Sequence, residues 1–312
     1  MCDVGQRVSS TFSENMLPDD QLSLNDWRNV IDDVARFKPL IAITSTEPLL
    51  YPDLVPLIEH CHSRGLKVQV TTNGFLLPSF ASAFLDCELD VLAVSIDGPP
   101  QLHDKIRGVE GSFDRASKNI RFLMDLRKNQ KPFIYMNFTV CDLNFNRITD
   151  TLPHVTCDRF TVSHLNFVTQ EMAEAHNEKC PFKVTACGLH QVSLDRIGIY
   201  DLWQQIQQVK ASKTRFPVTF GPDLSFRELA MFYREPTRFL PRHTRCHAVW
   251  NVGQIMADGT VTGCTRCFAR LGNVKDEAFT KLWNGPLFQQ FRRSLLDAGR
   301  AFPACSRCCG LL

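Results

Sequence analysis

Apolar and polar positions alternate along the chain in a way that predicts strands and helices in turn. Trp27, Val30, Ile31, Val34 and Phe37 recur at helical spacing behind Ser23, an N-cap residue with Asp26 three positions on, which approximates a capping box. Lys38-Pro39 ends that helix, and Leu40-Ile41-Ala42-Ile43-Thr44 is a short apolar strand. Pro52 to Arg64 reads as a helix stopped by Gly65, Lys67 to Thr71 as a strand closed by Asn73-Gly74, and Ser79 to Cys87 as a short helix. Val91 to Ile96 is a buried strand, Ser112 to Arg127 a helix, Phe133 to Val140 a strand and Phe160 to Leu165 another. From about Gln170 to Arg245 the pattern weakens. Leu202, Trp203, Ile206 and Val209 suggest one amphipathic helix there, Val218 to Phe220 a strand, and Pro217, Pro222, Pro236 and Pro241 punctuate the rest.

Short continuous apolar strands separated by helices imply parallel pairing with helical crossovers, an α/β architecture. In such folds the functional residues lie at the C-terminal ends of the strands. Those ends carry Ser45-Thr46-Glu47-Pro48, Thr72-Asn73-Gly74, Asp97-Gly98-Pro99, Asn137 with Thr139, and His164 with Asn166. Asn-Gly and Asp-Gly-Pro are ordinary turn chemistry taken singly; five successive strands ending in polar groups point to a functional rim.

Composition narrows the class. The chain has 312 residues, 44% hydrophobic and 22% charged, as in a globular protein rather than a disordered or coiled-coil one. No apolar run approaches the length of a transmembrane helix and the N-terminus has no apolar core of a secretory signal, so membrane partners are not expected and a cytoplasmic location is. With 35 basic and 33 acidic residues, net +2, no electrostatic case for nucleic acid arises.

The thirteen cysteines carry the chemistry. Cys61, Cys87, Cys141, Cys157, Cys180 and Cys187 are scattered as small core residues are. Cys2 stands alone, and Cys246, Cys264, Cys267, Cys305, Cys308 and Cys309 crowd the C-terminal end. In a reducing compartment disulfides are disfavoured, and the clustering reads as a metal or iron–sulfur site. Cys264-x2-Cys267 with Cys305-x2-Cys308 would make two zinc knuckles, with His243 and His247 as further ligands; Cys246, Cys264, Cys305 and Cys308 would hold an iron–sulfur cluster. Spacing alone does not separate the two.

Several of these segments together resemble a known family. Cys246, twelve residues, Gly259, four residues and Cys264, followed by Leu271-Gly272-Asn273-Val274, Leu282-Trp283-Asn284 and Cys305-Ser306-Arg307-Cys308, resembles the auxiliary cluster domain, SPASM or the shorter twitch type, of radical S-adenosylmethionine (radical SAM) enzymes. Ile255 to Val261 is similar to its hairpin, with Asp258-Gly259 as the turn. Ser45-Thr46-Glu47-Pro48 resembles the family's Gly-Gly-Glu-Pro with both glycines replaced. Lys67 to Gly74 resembles its third strand, and Val94 to Gly98 with His103-Asp104, Arg107-Gly108 and Gly111-Ser112-Phe113 its fourth.

The resemblance implies a partial (β/α)6, TIM-like barrel over residues 1–168, a connecting region over 169–245 and a small α+β cysteine-rich cluster domain over 246–312. It implies that S-adenosylmethionine is bound by Glu47, Thr72, Asn73, Ser95, Asn137 and His164, with Glu47 receiving the methionyl ammonium. One auxiliary 4Fe-4S cluster is expected on Cys246, Cys264, Cys305 and Cys308, with Cys267 and Cys309 as spares. The implied substrate is a peptide or small molecule, and the implied electron donor a flavodoxin or ferredoxin. The family's Cys-x3-Cys-x2-Cys motif, which holds a second 4Fe-4S cluster, is not present; counting on from Cys2 puts Gln6 and Ser9 at the cysteine positions. Met1-Cys2 resembles the end of a Cys-x3-Cys-x-Met-Cys variant. Cys2 is then the third ligand, and the barrel's first strand and two cysteines are expected upstream, so this chain as given is expected not to cleave S-adenosylmethionine. The alternative is an inactive relative, a scaffold or binding protein with one structural iron–sulfur or zinc site.

Overall fold

The structure is a computed structural model that describes residues 21–44, 47–241, 245–264 and 269–308. Cys2, Ser45, Thr46, His243, Cys267 and Cys309 lie outside the described residues. The chain divides into two compact units, one comprising Lys38–Leu165 and Ser193–Leu229, the other the segment up to Phe37, Asn166–Val192 and the segment from Ala230 on.

The first unit is a six-stranded parallel sheet, β1 (Leu40–Ile43), β2 (Lys67–Thr72), β3 (Val91–Ser95), β4 (Phe133–Thr139), β5 (Arg159–Ser163) and β6 (Val218–Gly221), whose spatial order equals its order in the chain. Consecutive parallel neighbours need crossovers of one hand, so the sheet winds as a partial TIM-like barrel with β1 and β6 at its edges. Residues of alternate parity face opposite ways. Val68, Val70, Leu92, Val94, Ile134, Met136, Phe138, Phe160 and Val162 are buried. The other parity, Gln69, Thr71, Ser95, Tyr135, Asn137, Thr161 and Ser163, is half-exposed and polar.

The expected elements are present, with the helices at Leu54–Ser63, Leu77–Asp86 and Ser112–Leu126. A further helix, Pro100–Arg107, follows the Asp97-Gly98-Pro99 turn. The weakly patterned stretch is more structured than its sequence suggests. Besides the expected helix, at Ile199–Ala211, it contains helices Gln170–Lys179 and Phe226–Arg234, and the expected strand, β6, pairs with β5 through Phe160↔Val218 and Val162↔Phe220.

The second unit holds helix Leu24–Val34, whose capping box is complete: Asp26 N donates to Ser23 Oγ at 3.2 Å and Ser23 N to Asp26 Oδ2 at 2.9 Å. Asp33 accepts from Thr280 N and Oγ1 at 2.8 and 2.7 Å, which ties this helix to helix Phe279–Trp283. A three-stranded antiparallel sheet, β7 (Gln254–Ile255), β8 (Thr260–Thr262) and β9 (Arg270–Asn273), forms the expected hairpin. Its turn needs glycine: Gly259 has φ +87°, and a Cβ there would meet Asn273 Oδ1 at 2.5 Å. Phe182, Phe291, Phe302 and His176 meet edge to face in succession, with ring centroids 4.9–5.9 Å apart.

Candidate cofactor rim and thiol site

Glu47 follows β1 at the C-terminal end of the sheet. Its carboxylate turns towards the end of β2: Thr72 Oγ1 donates to Oε1 at 2.7 Å and Asn73 N to Oε2 at 2.9 Å. It also accepts from Leu49 N at 3.1 Å, so it caps the short 3-10 turn Pro48–Leu50 rather than the helix expected from Pro52 on. A carboxylate has about four acceptor sites; the described residues engage three, which leaves one among them for a further donor at the rim.

Thr72 Oγ1 in turn accepts from Gly74 N at 3.0 Å, and Asn73 Oδ1 from Phe75 N at 2.8 Å, so the Thr-Asn-Gly turn is internally braced. Asn137 stands in register with Ser95. Ser163 Oγ donates to Asn137 Oδ1 at 2.7 Å, while Asn137 Nδ2 donates to Thr139 Oγ1 at 3.3 Å. Glu47, Thr72 and Asn73 thus form one hydrogen-bonded group, and Asn137, Thr139 and Ser163 another, with Ser95 alongside in the sheet. Ser163 carries no sequence signal beyond its parity on β5. His164 is 2% exposed, and burial pushes its imidazole down to about 4, so it is neutral at ordinary pH.

The loop after β3 is fixed from below. Asp97 Oδ1 accepts from Thr139 N at 3.2 Å, its Oδ2 lies 2.6 Å from Arg107 Nη2, and its backbone N donates to His103 Nδ1 at 3.1 Å. Asn144 Nδ2 donates to the carbonyls of Asp97 and Thr139, both at 2.9 Å. Asp104 accepts from Gly111 N, Ser112 Oγ and Phe113 N at 2.7–2.8 Å, which starts helix Ser112–Leu126. These motif residues position the ends of β3 and β4.

In the second unit, Cys246, Cys264, Cys305 and Cys308 are half-buried and in no disulfide. The Cys305 thiol is pushed well up, chiefly by its enclosure and then by the charge of Cys264, Cys308 and Cys246. Among the described residues no three His, Cys, Asp or Glu side chains gather as ligands of a single metal ion. Cys305 N donates to Phe302 O at 2.8 Å and Cys308 N to Cys305 O at 3.0 Å, so the loop is a tight turn. Arg307 within it is fully buried; burial pulls its guanidinium down to about 10, so it remains a cation.

The donor sets suit the groups that the motifs imply. A half-buried carboxylate with an acceptor site left suits an ammonium, and four cysteine sulfurs suit an iron–sulfur centre. The two units define an α/β barrel protein with a cofactor-type rim and an appended thiol-rich domain. Residues 1–152 match the radical SAM superfamily and residues 246–309 an iron–sulfur cluster-binding domain of the SPASM type, the arrangement of a radical SAM protein with a C-terminal SPASM domain. S-adenosylmethionine and 4Fe-4S clusters are the cofactors of these domains.

The chain is 34% identical over 142 residues to an AdoMet-dependent heme synthase of Methanosarcina barkeri, covering 45% of this chain and 40% of that protein. It is 24% identical over 290 residues to an AdoMet-dependent heme synthase of Oleidesulfovibrio alaskensis, covering 87% and 69%. The chain therefore spans well under half the length of the first of these relatives. The fold resembles Streptococcus suis SuiB bound to S-adenosylmethionine, with a TM-score of 0.58 and 15% identity, covering 87% of this chain and 61% of that one. SuiB bound to its precursor peptide SuiA gives a TM-score of 0.59 and 16% identity, covering 87% and 60%. Among the described residues no helix is long and apolar enough to cross a membrane.

Proposed function

We propose that the chain is the barrel and auxiliary-cluster part of a radical SAM enzyme. The supporting observation is the Glu47 carboxylate, held at the rim by Thr72 and Asn73 with an acceptor site left over. When bound to a four-iron cluster and reduced, S-adenosylmethionine supplies a carbon-centred radical for hydrogen abstraction. Glu47 takes the methionyl ammonium; Thr72 and Asn73 hold that carboxylate in place; Ser95 and Asn137 line the cofactor side of the barrel end, and the enclosed His164 follows β5 behind it. Cys246, Cys264, Cys305 and Cys308 hold one auxiliary cluster, and Cys2 is the residual ligand of the barrel cluster. The reductant is a flavodoxin or ferredoxin of the cytoplasm.

For the substrate we favour a tetrapyrrole, because two of the relatives, 34% and 24% identical, are named as heme synthases; a peptide is the second reading, motivated by the peptide-bound SuiB fold. The test is anaerobic assay of the chain, alone and with the upstream Cys-x3-Cys-x restored, with dithionite and S-adenosylmethionine. Only the restored form should release 5′-deoxyadenosine, and a porphyrin rather than a peptide should raise its yield. Release by neither form would favour the rival reading of an inactive scaffold.

A further inference from the structure

The two residues between Cys305 and Cys308 are Ser306 and Arg307, and both are fully buried, at 0% exposure. A spacer between two ligands needs no burial, and burying a cation is costly unless every donor finds an acceptor. Arg307 meets that condition. Nε donates to Phe232 O at 2.5 Å. Nη1 donates to Arg238 O at 2.9 Å and Ser306 O at 2.5 Å, and Nη2 to Met231 O at 2.7 Å and Glu235 O at 2.5 Å. Five guanidinium hydrogens meet five carbonyls. The guanidinium also lies over the Phe232 ring, 5.2 Å from its centroid, and Ser306 Oγ donates to Pro236 O at 2.6 Å.

The carbonyls of Met231 and Phe232 belong to helix Phe226–Arg234, and those of Glu235, Pro236 and Arg238 to the turn beyond it. A helix leaves its final carbonyls without intrahelical partners and presents a partial negative charge there. The Cys-x2-Cys loop is therefore bolted to a helix C-terminus through contacts in which no metal takes part. All five acceptors are neutral carbonyls, and the Glu235 carboxylate is engaged by Arg238 at 3.0 Å. The guanidinium thus keeps its charge one residue from Cys308 and two from Cys305.

We infer that Arg307 is a positioning residue for the auxiliary iron–sulfur site: it holds the Cys305–Cys308 loop in its ligating shape and supplies a buried positive charge that offsets the thiolate ligands. The inference rests on the assignment of Cys246, Cys264, Cys305 and Cys308 to a cluster. An arginine caged by carbonyls fixes the backbone on both sides of itself, so both flanking sulfurs are aimed before any iron is bound. Its charge favours the more negative, reduced state of the centre.

The test is anaerobic reconstitution of the full chain with iron and sulfide. Iron retention against a chelator and the reduction potential of the visible absorption band are then measured for wild type, Cys308→Ala, Arg307→Gln and Arg307→Lys. Wild type should load a cluster that Cys308→Ala loses; failure of that pair overturns the cysteine assignment itself. Arg307→Gln should retain iron about tenfold less well, as outer-sphere substitutions do, and the residual cluster should have a more negative potential. Arg307→Lys keeps the charge but has three donors, so it should lose retention while keeping the wild-type potential. Wild-type retention and potential in a folded Arg307→Gln overturns the inference. If Arg307→Gln does not fold by circular dichroism, wild-type retention in Arg307→Lys overturns it.

Discussion

Replacing Glu47 by glutamine separates a local structural role from cofactor binding. The carboxylate accepts from Leu49 N and Thr72 Oγ1 on Oε1, and from Asn73 N on Oε2. An amide keeps one acceptor. Its better orientation leaves the oxygen facing Leu49 and Thr72 and turns the NH2 towards Asn73 N–H, so one part-buried donor loses its partner and meets another donor. Leaving such a group unsatisfied costs about 1–3 kcal/mol, and a value of about 2 kcal/mol lowers the melting temperature of a domain of this size by about 4–8 °C. Loss of the charge that meets an ammonium costs a further 1.5–3 kcal/mol or so in binding, roughly a 10- to 150-fold weaker Kd for S-adenosylmethionine. Thr72→Ala is the control, since it removes one hydrogen bond to the carboxylate and leaves the charge. Thermal melts and calorimetric titration with S-adenosylmethionine on the same samples give both numbers. A lower melting temperature with unaltered affinity would reduce Glu47 to a brace between β1 and β2, and an unaltered melting temperature would refute the hydrogen-bond argument.

Three further outcomes are expected. His103 is enclosed, and burial pushes it down to about 4 from 6.5 despite the opposing pull of Asp97; its Nδ1 accepts from Asp97 N, so it is neutral in the fold. Below pH 6.5 the unfolded chain binds the extra proton, so this stability is full above that pH and lost as pH falls towards 4. The loss is about 2 kcal/mol at pH 5, and melts from pH 7.5 to 4.5 should fall less steeply for His103→Gln, an equal slope contradicting the reasoning. Gly74→Ala should destabilise by about 1–3 kcal/mol in urea unfolding, because φ is +83° and the new Cβ would lie 2.7 Å from Ala116 Cβ. In metal-free protein Cys305 should be the slowest of the four C-terminal thiols to react with iodoacetamide, since its enclosure and its cysteine neighbours hold it protonated; labelling as fast as Cys246, read by mass spectrometry, would show that its thiol is open.

The strand and helix alternation was legible because each element is written in adjacent residues. The apolar run Leu40–Ile43 makes a strand whatever its partner is, Ser23 and Asp26 cap a helix three positions apart, and Asp258-Gly259 turns a hairpin on itself. The cysteine clustering and the polar strand ends were likewise visible, because chemistry-bearing residue types keep their identity without a fold. What the sequence left dark depends on partners far along the chain. Val218 to Phe220 read as a strand of a connecting region, and only its pairing with β5 makes it the sixth strand of the sheet. Ser163 becomes a partner of Asn137 only through the β4–β5 register, and Glu47 a brace only because β2 ends beside it. Arg307 looked like a spacer between two cysteines, and its cage is built from carbonyls some seventy residues earlier. Periodicity and turn propensity are local properties that the amino-acid order determines by itself. Which donor finds which acceptor, and which charge is buried, is decided when strands pair and helix ends dock, since backbone carbonyls carry no residue identity for the sequence to display.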